Sequence, residues 1–257
     1  MKNIFLVITL LFCVNKFMLA QGTAGKDANY EYRYLIDVPT TGVLEKGFVG
    51  ITMDAMPLGV IITKIEVGVF KNFSFGISYG GANVIGQGTI DWYKLPGVNV
   101  RFRLFDENEQ VPAVTIGFDS QGKGVYHNSE ARYDVKSPGF FASVSRNFNF
   151  LGYMNLIGSV NYSLERKDGD KDVNLAFGFE KTIGSQFSVI AEYNLGINDN
   201  NSGAYGEGSG YLNLGARFSP GNGFTFGVDL RNLSDNRKVN GSKADRAIFI
   251  EYIKAIF

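Results

Sequence analysis

The feature that most constrains the fold of this chain is an alternation of apolar and polar residues that recurs along most of its length. From Phe73 to Gly80, for example, aromatic or aliphatic residues alternate with serine and glycine. Successive residues of a β-strand point to opposite faces, so this alternation predicts strands with one apolar and one polar face. The segments that follow the pattern are 48–55, 61–69, 73–80, 98–104, 114–119, 140–147, 154–164, 173–180, 187–195, 212–218, 224–231 and 246–257.

These segments predict an all-β fold of about twelve strands, within a range of about 10 to 14. A transmembrane β-barrel needs an apolar outer face and tolerates a polar lumen, which is the pattern that the segments show. A soluble, secreted β-sandwich also alternates apolar and polar residues, so it remains an alternative.

The lengths of the connections help to distinguish these two folds. Outer-membrane barrels have short periplasmic turns and longer extracellular loops in alternation. Here short connections at 71–72, 106–110, 146–148, 183–186 and 220–223 alternate with long ones at 81–96, 120–138, 166–171, 198–208 and 233–245. The alternation favours a single antiparallel barrel over residues 47–257 in a Gram-negative outer membrane, with both of its ends in the periplasm.

Residues 1–20 have the organisation of a secretory signal peptide that is cleaved after Ala20. Lys2 precedes an apolar core that is too short to cross a bilayer as a helix. Cys13, the only cysteine of the chain, follows Phe12 within this core, so we expect no lipid attachment. The mature protein is therefore expected to hold no cysteine.

The two ends of the predicted barrel carry separate expectations. Residues 21–46 are predicted to be a periplasmic lead-in or a short first strand, because the alternation from Tyr30 to Val38 stops at Pro39. At the other end, the terminal Phe257 resembles the signal that the barrel-assembly machinery recognises. We therefore expect that machinery, periplasmic chaperones and outer-membrane lipid as partners.

The net charge argues against nucleic acid as a partner. Loss of Lys2 and Lys16 with the signal peptide leaves 23 basic and 25 acidic residues, a net charge of −2. Binding to a phosphate backbone requires a basic surface, which this balance does not supply.

Ten charged residues are predicted to point into the lumen, five of each sign. Unpaired charges in a narrow, dry space cost several kcal/mol each, so the equal numbers favour ion pairs that hold the shape of the barrel. A polar pore lining that guides a polar ligand is the alternative. The residues are Lys64, Glu66, Arg101, Arg103, Glu180, Glu192, Arg217, Asp229, Arg231 and Glu251.

Residues for catalysis or metal binding are scarce. His127 is the only histidine and lies in a predicted outer loop near Ser120 and Ser129, where a solvated side chain is the simpler interpretation. Three aspartates in 168–172 are spaced like calcium ligands, but Val173 stands where the loop requires glycine, which favours a solvated hairpin tip. We therefore predict neither an enzyme nor a cofactor site.

Part of the chain resembles YjbH-type outer-membrane barrels. The resemblance is carried by 95–104, by 112–126 with its Pro-Ala and its aspartate before a glycine-rich loop, and by a further strand at 133–144. YjbH-type barrels are linked to exopolysaccharide and capsule assembly, so the resemblance implies a role with envelope glycans.

Three functions follow from these observations. The first is a conduit or assembly factor linked to exopolysaccharide or other envelope glycans. The second is a mostly closed structural or adhesive barrel with interactive outer loops. The third, which the scarcity of catalytic residues disfavours, is a rim-located enzyme that modifies lipid.

Overall fold

The computed structural model describes residues 22–240 and 243–256, so the predicted signal peptide at 1–20 and Phe257 lie outside the described residues. Within this part of the chain no helix is long and apolar enough to cross a membrane. The strands are β1 (Phe48–Met56), β2 (Val60–Phe70), β3 (Phe73–Ala82), β4 (Asp91–Trp92), β5 (Gly97–Phe105), β6 (Ala113–Asp119), β7 (Lys123–His127), β8 (Arg132–Val135), β9 (Gly139–Asn149), β10 (Tyr153–Tyr162), β11 (Asn174–Ile183), β12 (Phe187–Asn194), β13 (Tyr211–Gly221), β14 (Phe224–Arg231) and β15 (Asp245–Ala255).

Twelve of these strands form one antiparallel sheet that closes on itself. The wall runs in chain order through β1, β2, β3, β5, β6 and then β9 to β15, and β1 closes it by pairing with β15, with Phe48 opposite Ala255. A closed sheet leaves no unpaired edge, which is what the interior of a membrane requires of a backbone. The predicted all-β barrel of about twelve strands is confirmed.

The two faces of the wall have opposite chemistry. Ile65, Phe177 and Val228 on the outer face are 50%, 55% and 61% exposed, whereas Glu66 and Arg101 on the inner face are 2% and 0% exposed. Apolar side chains outside and charged ones inside are the reverse of a soluble protein and the pattern of a barrel in lipid. The alternative of a soluble β-sandwich is excluded, and the protein is a transmembrane barrel of the Gram-negative outer membrane.

The two ends of the barrel differ in the length of their connections. At one end, here called the turn end, short connections join the strands, and one of the two shortest is Asn222-Gly223 between β13 and β14. Both residues adopt positive φ, 55° and 82°, as a two-residue hairpin turn requires. The other end, here called the loop end, carries the long connections, together with a tight turn at Pro57–Gly59 between β1 and β2.

One predicted turn is wrong. Residues 146–148 belong to β9, which continues to Asn149, and the chain reverses instead at 150–152. Leu151 and Gly152 take positive φ there, 47° and 103°, which breaks the strand. The alternation of apolar and polar residues gave no sign of this shift.

Residues 22–46, here called the lumenal segment, lie inside the barrel. We expected a periplasmic lead-in or a short first strand, but the segment forms no strand of the wall. Its apolar side chains are buried, with Leu35 at 2% and Val38 at 1% exposure. The alternation from Tyr30 to Val38 therefore reflects contacts inside the lumen rather than a place in the sheet.

Part of the long connection at 120–138 folds back over the loop end. β7 and β8 pair with each other and form a two-stranded sheet separate from the wall, here called the outer hairpin (residues 123–135). All four residues of β8 are buried. This connection is therefore a cover over the barrel rather than a solvated loop.

The lipid-facing wall predicts a position-specific effect of charge. Val228 lies within β14 and faces outwards, so Val228→Lys places an ammonium group in the hydrocarbon. The free energy of unfolding should fall by about 2–4 kcal/mol, measured by urea unfolding in lipid vesicles. Val228→Leu is the control and should change stability little. Equal stability of the lysine and leucine variants would contradict a lipid-facing site.

Candidate functional site

The lumenal segment enters the barrel at the turn end, turns inside it and returns. Near its start, the backbone N–H of Ala24 donates to the Ser219 hydroxyl at 2.9 Å. At its tip, Tyr34 pairs with Pro39, and Leu35 N–H donates to the Val38 carbonyl at 3.1 Å. The segment is thus a hairpin-like insertion that leads back to the turn end, where β1 begins.

Glu192 of β12 holds the tip of the segment. Its carboxylate accepts hydrogen bonds from the backbone N–H groups of Ile36, Asp37 and Val38 at 2.9–3.0 Å. The amide of Asn213 donates a fourth bond at 2.8 Å. These four donors satisfy a carboxylate that is 2% exposed, so its burial does not require a cation.

Ion pairs join the segment to the wall on several sides. Arg33 lies between two wall carboxylates, Glu66 at 3.4 Å and Glu251, with which it forms a hydrogen bond. Asp37 at the tip pairs with Arg231 of β14 at 2.7 Å. Because each pair joins a charge of the segment to one of the wall, removal of Arg33, Asp37 or Arg231 leaves a buried charge without its ion-pair partner.

Two arginines of β5 bind the returning arm of the segment. Arg101 donates to the carbonyls of Thr40 and Gly42 at 3.2 and 3.3 Å, and its guanidinium group lies over the Tyr34 ring. Arg103 donates to the Thr41 carbonyl at 2.6 Å and also forms an ion pair with Glu31. The planar guanidinium group suits this role because it offers several donors in a fixed geometry.

The ten residues predicted to point into the lumen all make contacts there, but mostly not with one another. Arg217 and Asp229 form the one ion pair within that set among the described residues, at 2.5 Å. Lys64 pairs with Asp119, and Glu180 accepts a hydrogen bond from Ser188 at 2.8 Å. Arg217 also donates to the Leu35 carbonyl of the lumenal segment at 3.1 Å. The other six contact the segment as well: Glu66, Arg101, Arg103, Glu192, Arg231 and Glu251.

The partners that the lumenal segment supplies were not predicted from the sequence. Glu31, Arg33 and Asp37 stand in a stretch that was predicted to be a periplasmic lead-in or a short first strand, so their charges were not grouped with those of the lumen. Asp119 shares the inner face of β6 with Thr115, and this alternation was the available signal for it.

Buried ion pairs also fix the outer hairpin. Arg132 is fully buried and binds Asp168 at 2.7 Å and Asp199 at 2.6 Å, and Lys136 binds Asp168 at 2.7 Å. The carboxylate of Glu165 accepts the N–H groups of Tyr133 and Ser137, each at 2.9 Å. The hairpin is therefore tied to two neighbouring loops.

These contacts correct the prediction for the aspartates of 168–172. The side chain of Asp168 is fully buried, and Asp170 accepts the N–H groups of Asn200 and Asn201, so they do not form a solvated tip. Among the residues that the structure describes, no cluster of histidine, cysteine or acidic residues is arranged to hold a metal ion.

His127 also belongs to the outer hairpin. Its Nε2 lies 2.8 Å from a carboxylate oxygen of Asp134, and its ring packs edge-on against Tyr205. The Ser120 hydroxyl hydrogen-bonds instead to β5, and that of Ser129 to Glu130. Over the described part of the chain, neither serine is hydrogen-bonded to the histidine.

Two acidic groups that bind the outer hairpin region from neighbouring loops have shifted pKa values. Burial raises the pKa of Asp199, but the hydrogen bonds and charge of Arg132 outweigh it and hold that pKa below its ordinary value. Burial raises the pKa of Glu165, and the bonds from Ser137 and Tyr133 offset this only in part. The ion pair of Arg132 with Asp199 thus stays charged well into the acid range.

The lumenal segment borders two cavities. The smaller, of 60 Å³, lies between the tip of the lumenal segment and the outer hairpin and is lined by Asp37, Asp119 and Lys123 among others. The larger, of 550 Å³, lies at the turn end between the segment and strands β9–β11, and is here called the vestibule. The segment thus separates a small outer cavity from a larger inner one.

No protein-family model and no curated protein matches the chain. Solved structures similar to it include the KdgM porin, with 10% identity, a TM-score of 0.48, and 82% of this chain and 99% of that chain covered. The NanC porin has 10% identity, a TM-score of 0.44, and coverage of 81% and 100%. Omp33 of Acinetobacter baumannii has 11% identity, a TM-score of 0.43, and coverage of 82% and 99%. All three TM-scores are below 0.5, so the barrel assignment rests on the strand pairing and faces of this chain.

Removal of Arg132, whose ion pairs hold the outer hairpin in place, should make the hairpin accessible to protease. Arg132→Met leaves Asp168 and Asp199 without their shared partner, at a cost of about 3–5 kcal/mol. We expect proteinase K to cleave this variant within residues 123–137 in lipid vesicles, whereas the wild type resists. Arg166→Met is the control, because Arg166 is exposed and its guanidinium group stacks on and hydrogen-bonds to Tyr162 of β10 rather than to the outer hairpin. Resistance of the Arg132 variant would show that the ion pairs do not hold the hairpin.

The same protection should persist in mild acid. Because the pKa of Asp199 is lowered in the folded state, its stabilising effect is present above the ordinary carboxyl pKa of about 4 and is lost only as the pH falls through the lowered value. The raised pKa of Glu165 acts in the opposite sense and adds no loss as the pH falls. Proteinase K digestion at pH 7 and pH 5 should therefore give the same pattern. Cleavage that begins between these values would contradict the assignment.

Proposed function

We propose that the protein is a non-catalytic outer-membrane conduit for polar solutes that its own lumenal segment holds closed. The observation that carries this proposal is that residues 22–46 fill the lumen without being part of the wall. A barrel that serves only as a scaffold can be filled by side chains of its own strands. Here a separate chain segment occupies the space, so the wall can persist without it.

The nature of the contacts supports a segment that can leave the lumen. Its main partners are Glu66, Glu192, Arg231 and Glu251, which are charged groups of the wall. Charged side chains of the wall can exchange these contacts for hydrogen bonds to water. Apolar side chains would instead lose the free energy of their burial when the segment left. Displacement of the segment would therefore leave a polar, water-compatible channel.

A mostly closed structural or adhesive barrel is the second candidate. The observation that favours it is the outer hairpin, which covers the loop end and is fixed by the buried Arg132. A conduit would need both the hairpin and the lumenal segment to move. In a closed barrel both would stay in place, and the surrounding loops would supply the interactions.

The link to exopolysaccharide or other envelope glycans rests on the resemblance to YjbH-type barrels. The matching residues, 95–104 and 112–126, form β5, β6 and the start of the outer hairpin. The barrel-assembly machinery and periplasmic chaperones are likewise proposed as partners, on the basis of export and of Phe257. An enzyme at the rim is disfavoured because His127 contacts Asp134 and Tyr205 rather than a nucleophile.

Conductance in planar bilayers tests the conduit. The wild type should show rare openings, because the segment and the hairpin both close the path. Arg33→Gln with Asp37→Asn removes ion pairs of the segment, and Arg132→Met loosens the hairpin. We expect the combined variant to open at least about tenfold more often than the wild type, since the loss of about 1.4 kcal/mol of closing free energy suffices for that change.

A reversible cross-link provides the control. The hydroxyls of Thr41 in the segment and Ser145 in β9 lie 2.6 Å apart, so Thr41→Cys with Ser145→Cys can form a disulfide. Under oxidising conditions this cross-link should abolish the openings of the combined variant, and a reductant should restore them. A folded combined variant that stays as silent as the wild type would contradict the conduit and favour the closed barrel.

A further inference from the structure

The vestibule exists because the lumenal segment lies against one side of the barrel. Its start is hydrogen-bonded to β12, β13 and β14 through Ser188, Ser219 and Thr225. Directly after its end, the backbone N–H of Gly47 donates to the Gly68 carbonyl of β2. The lower parts of β9, β10 and β11 remain uncovered and face a space of 550 Å³. That volume lies within the range of small-molecule sites.

The lining of the vestibule suits a ligand that is rich in hydroxyl groups. Tyr30, Tyr32 and Tyr153 contribute aromatic rings, and Asn147 and Asn155 contribute amides. Tyr153 lies on the inward side of β10 and is 48% exposed, so its ring is available for contact. Amides both donate and accept hydrogen bonds, and tyrosine offers an apolar face with a polar edge, which together match the two sides of a sugar ring.

Glu180 is a carboxylate of the vestibule that lacks a cationic partner. Glu180 accepts one hydrogen bond, from Ser188, and forms no ion pair with the Lys and Arg side chains of residues 22–240 and 243–256. By contrast, Glu66 and Glu251 share Arg33, and Glu192 receives four N–H groups. A carboxylate in a partly enclosed polar space favours a cation as its partner.

A second group nearby is also available. Asn155 of β10 donates to Asn147 at 2.8 Å, but its side-chain oxygen is buried without a hydrogen-bond partner. Buried polar atoms usually have a hydrogen-bond partner. The unpartnered oxygen of Asn155 therefore indicates a position where a ligand can place a hydrogen-bond donor. Glu180 and Asn155 are directly opposite each other in the register of β10 and β11, and both line the vestibule.

We propose that the vestibule binds a sugar that carries a free amino group. The ammonium group would pair with Glu180, a hydroxyl would donate to Asn155, and the ring would pack against Tyr153. The inference deepens the proposed conduit and rests on it for its biological meaning, since it names the class of solute that the inner end would receive. A purely anionic sugar would be disfavoured because the lining holds four acidic side chains, Glu31, Asp106, Glu107 and Glu180, against two basic ones, Lys26 and Arg103.

Calorimetric titration of the full protein in detergent at pH 6.5 tests this proposal. The probes are the dimer of glucosamine and its N-acetylated counterpart, which has the same ring atoms but no charge. We expect one glucosamine dimer to bind per barrel, and the acetylated dimer to bind at least about tenfold more weakly, because it cannot pair with a carboxylate. Absence of heat with the charged probe, or equal affinity for both probes, would overturn the proposal.

Substitutions locate the site. Glu180→Gln should weaken binding of the charged dimer at least about tenfold, and Asn155→Leu, a second variant in case the first does not fold, should also weaken it. Asp172→Asn is the control, since it neutralises an exposed carboxylate at the loop end and should leave binding unchanged. Unaltered affinity in a folded Glu180 or Asn155 variant would place the ligand elsewhere and overturn the proposal.

The titration and the conductance assay can fail separately. Binding is measured with the lumenal segment in place, so it does not require the barrel to open. Binding without channel openings would contradict the proposed conduit but support the sugar site. Openings without binding would contradict the sugar site but support the conduit.

Discussion

The structure depends on the pairing of β1 with β15, which closes the sheet. In lipid no water is present to satisfy an open edge, so the ladder from Phe48 opposite Ala255 to Ala55 opposite Ile248 completes the backbone hydrogen bonding of the wall. Closure then divides the side chains into two environments. Residues of one parity contact hydrocarbon, and those of the other parity share a lumen in which charges need partners.

The need for partners explains the lumenal segment. Arg33 pairs with two wall carboxylates, and Asp37 pairs with Arg231. Three consecutive backbone N–H groups donate hydrogen bonds to Glu192. A wall that paired all its own charges would leave little reason for a chain segment to enter. The wall carries one ion pair within the predicted set, Arg217 with Asp229, and relies on residues 22–46 for most of the rest. The same contacts that fill the lumen are therefore the ones that an opening must break.

The sequence allowed the wall to be predicted because alternation is a local property. The faces of β2, β3 and β14 follow directly from it, and closure required only that the pattern recur often enough. The site could be predicted in part: the ten lumenal charges were identifiable by parity, but their partners were not. Arg33 and Asp37 lie in a stretch that belongs to no strand, and Arg132 meets Asp168 and Asp199 only after three loops have folded together. Such contacts join residues far apart in sequence, so no local pattern records them.

The most direct test of the account is whether the amide protons of Ile36, Asp37 and Val38 are bonded to Glu192 in the folded barrel. Solution NMR of the protein in detergent micelles measures their exchange with water and their cross-peaks to the Glu192 side chain. Three slowly exchanging amides with such cross-peaks, all shifted by Glu192→Gln, are the predicted result. Rapid exchange, random-coil shifts and no cross-peak to the wall would contradict a lumen occupied by its own N-terminal segment.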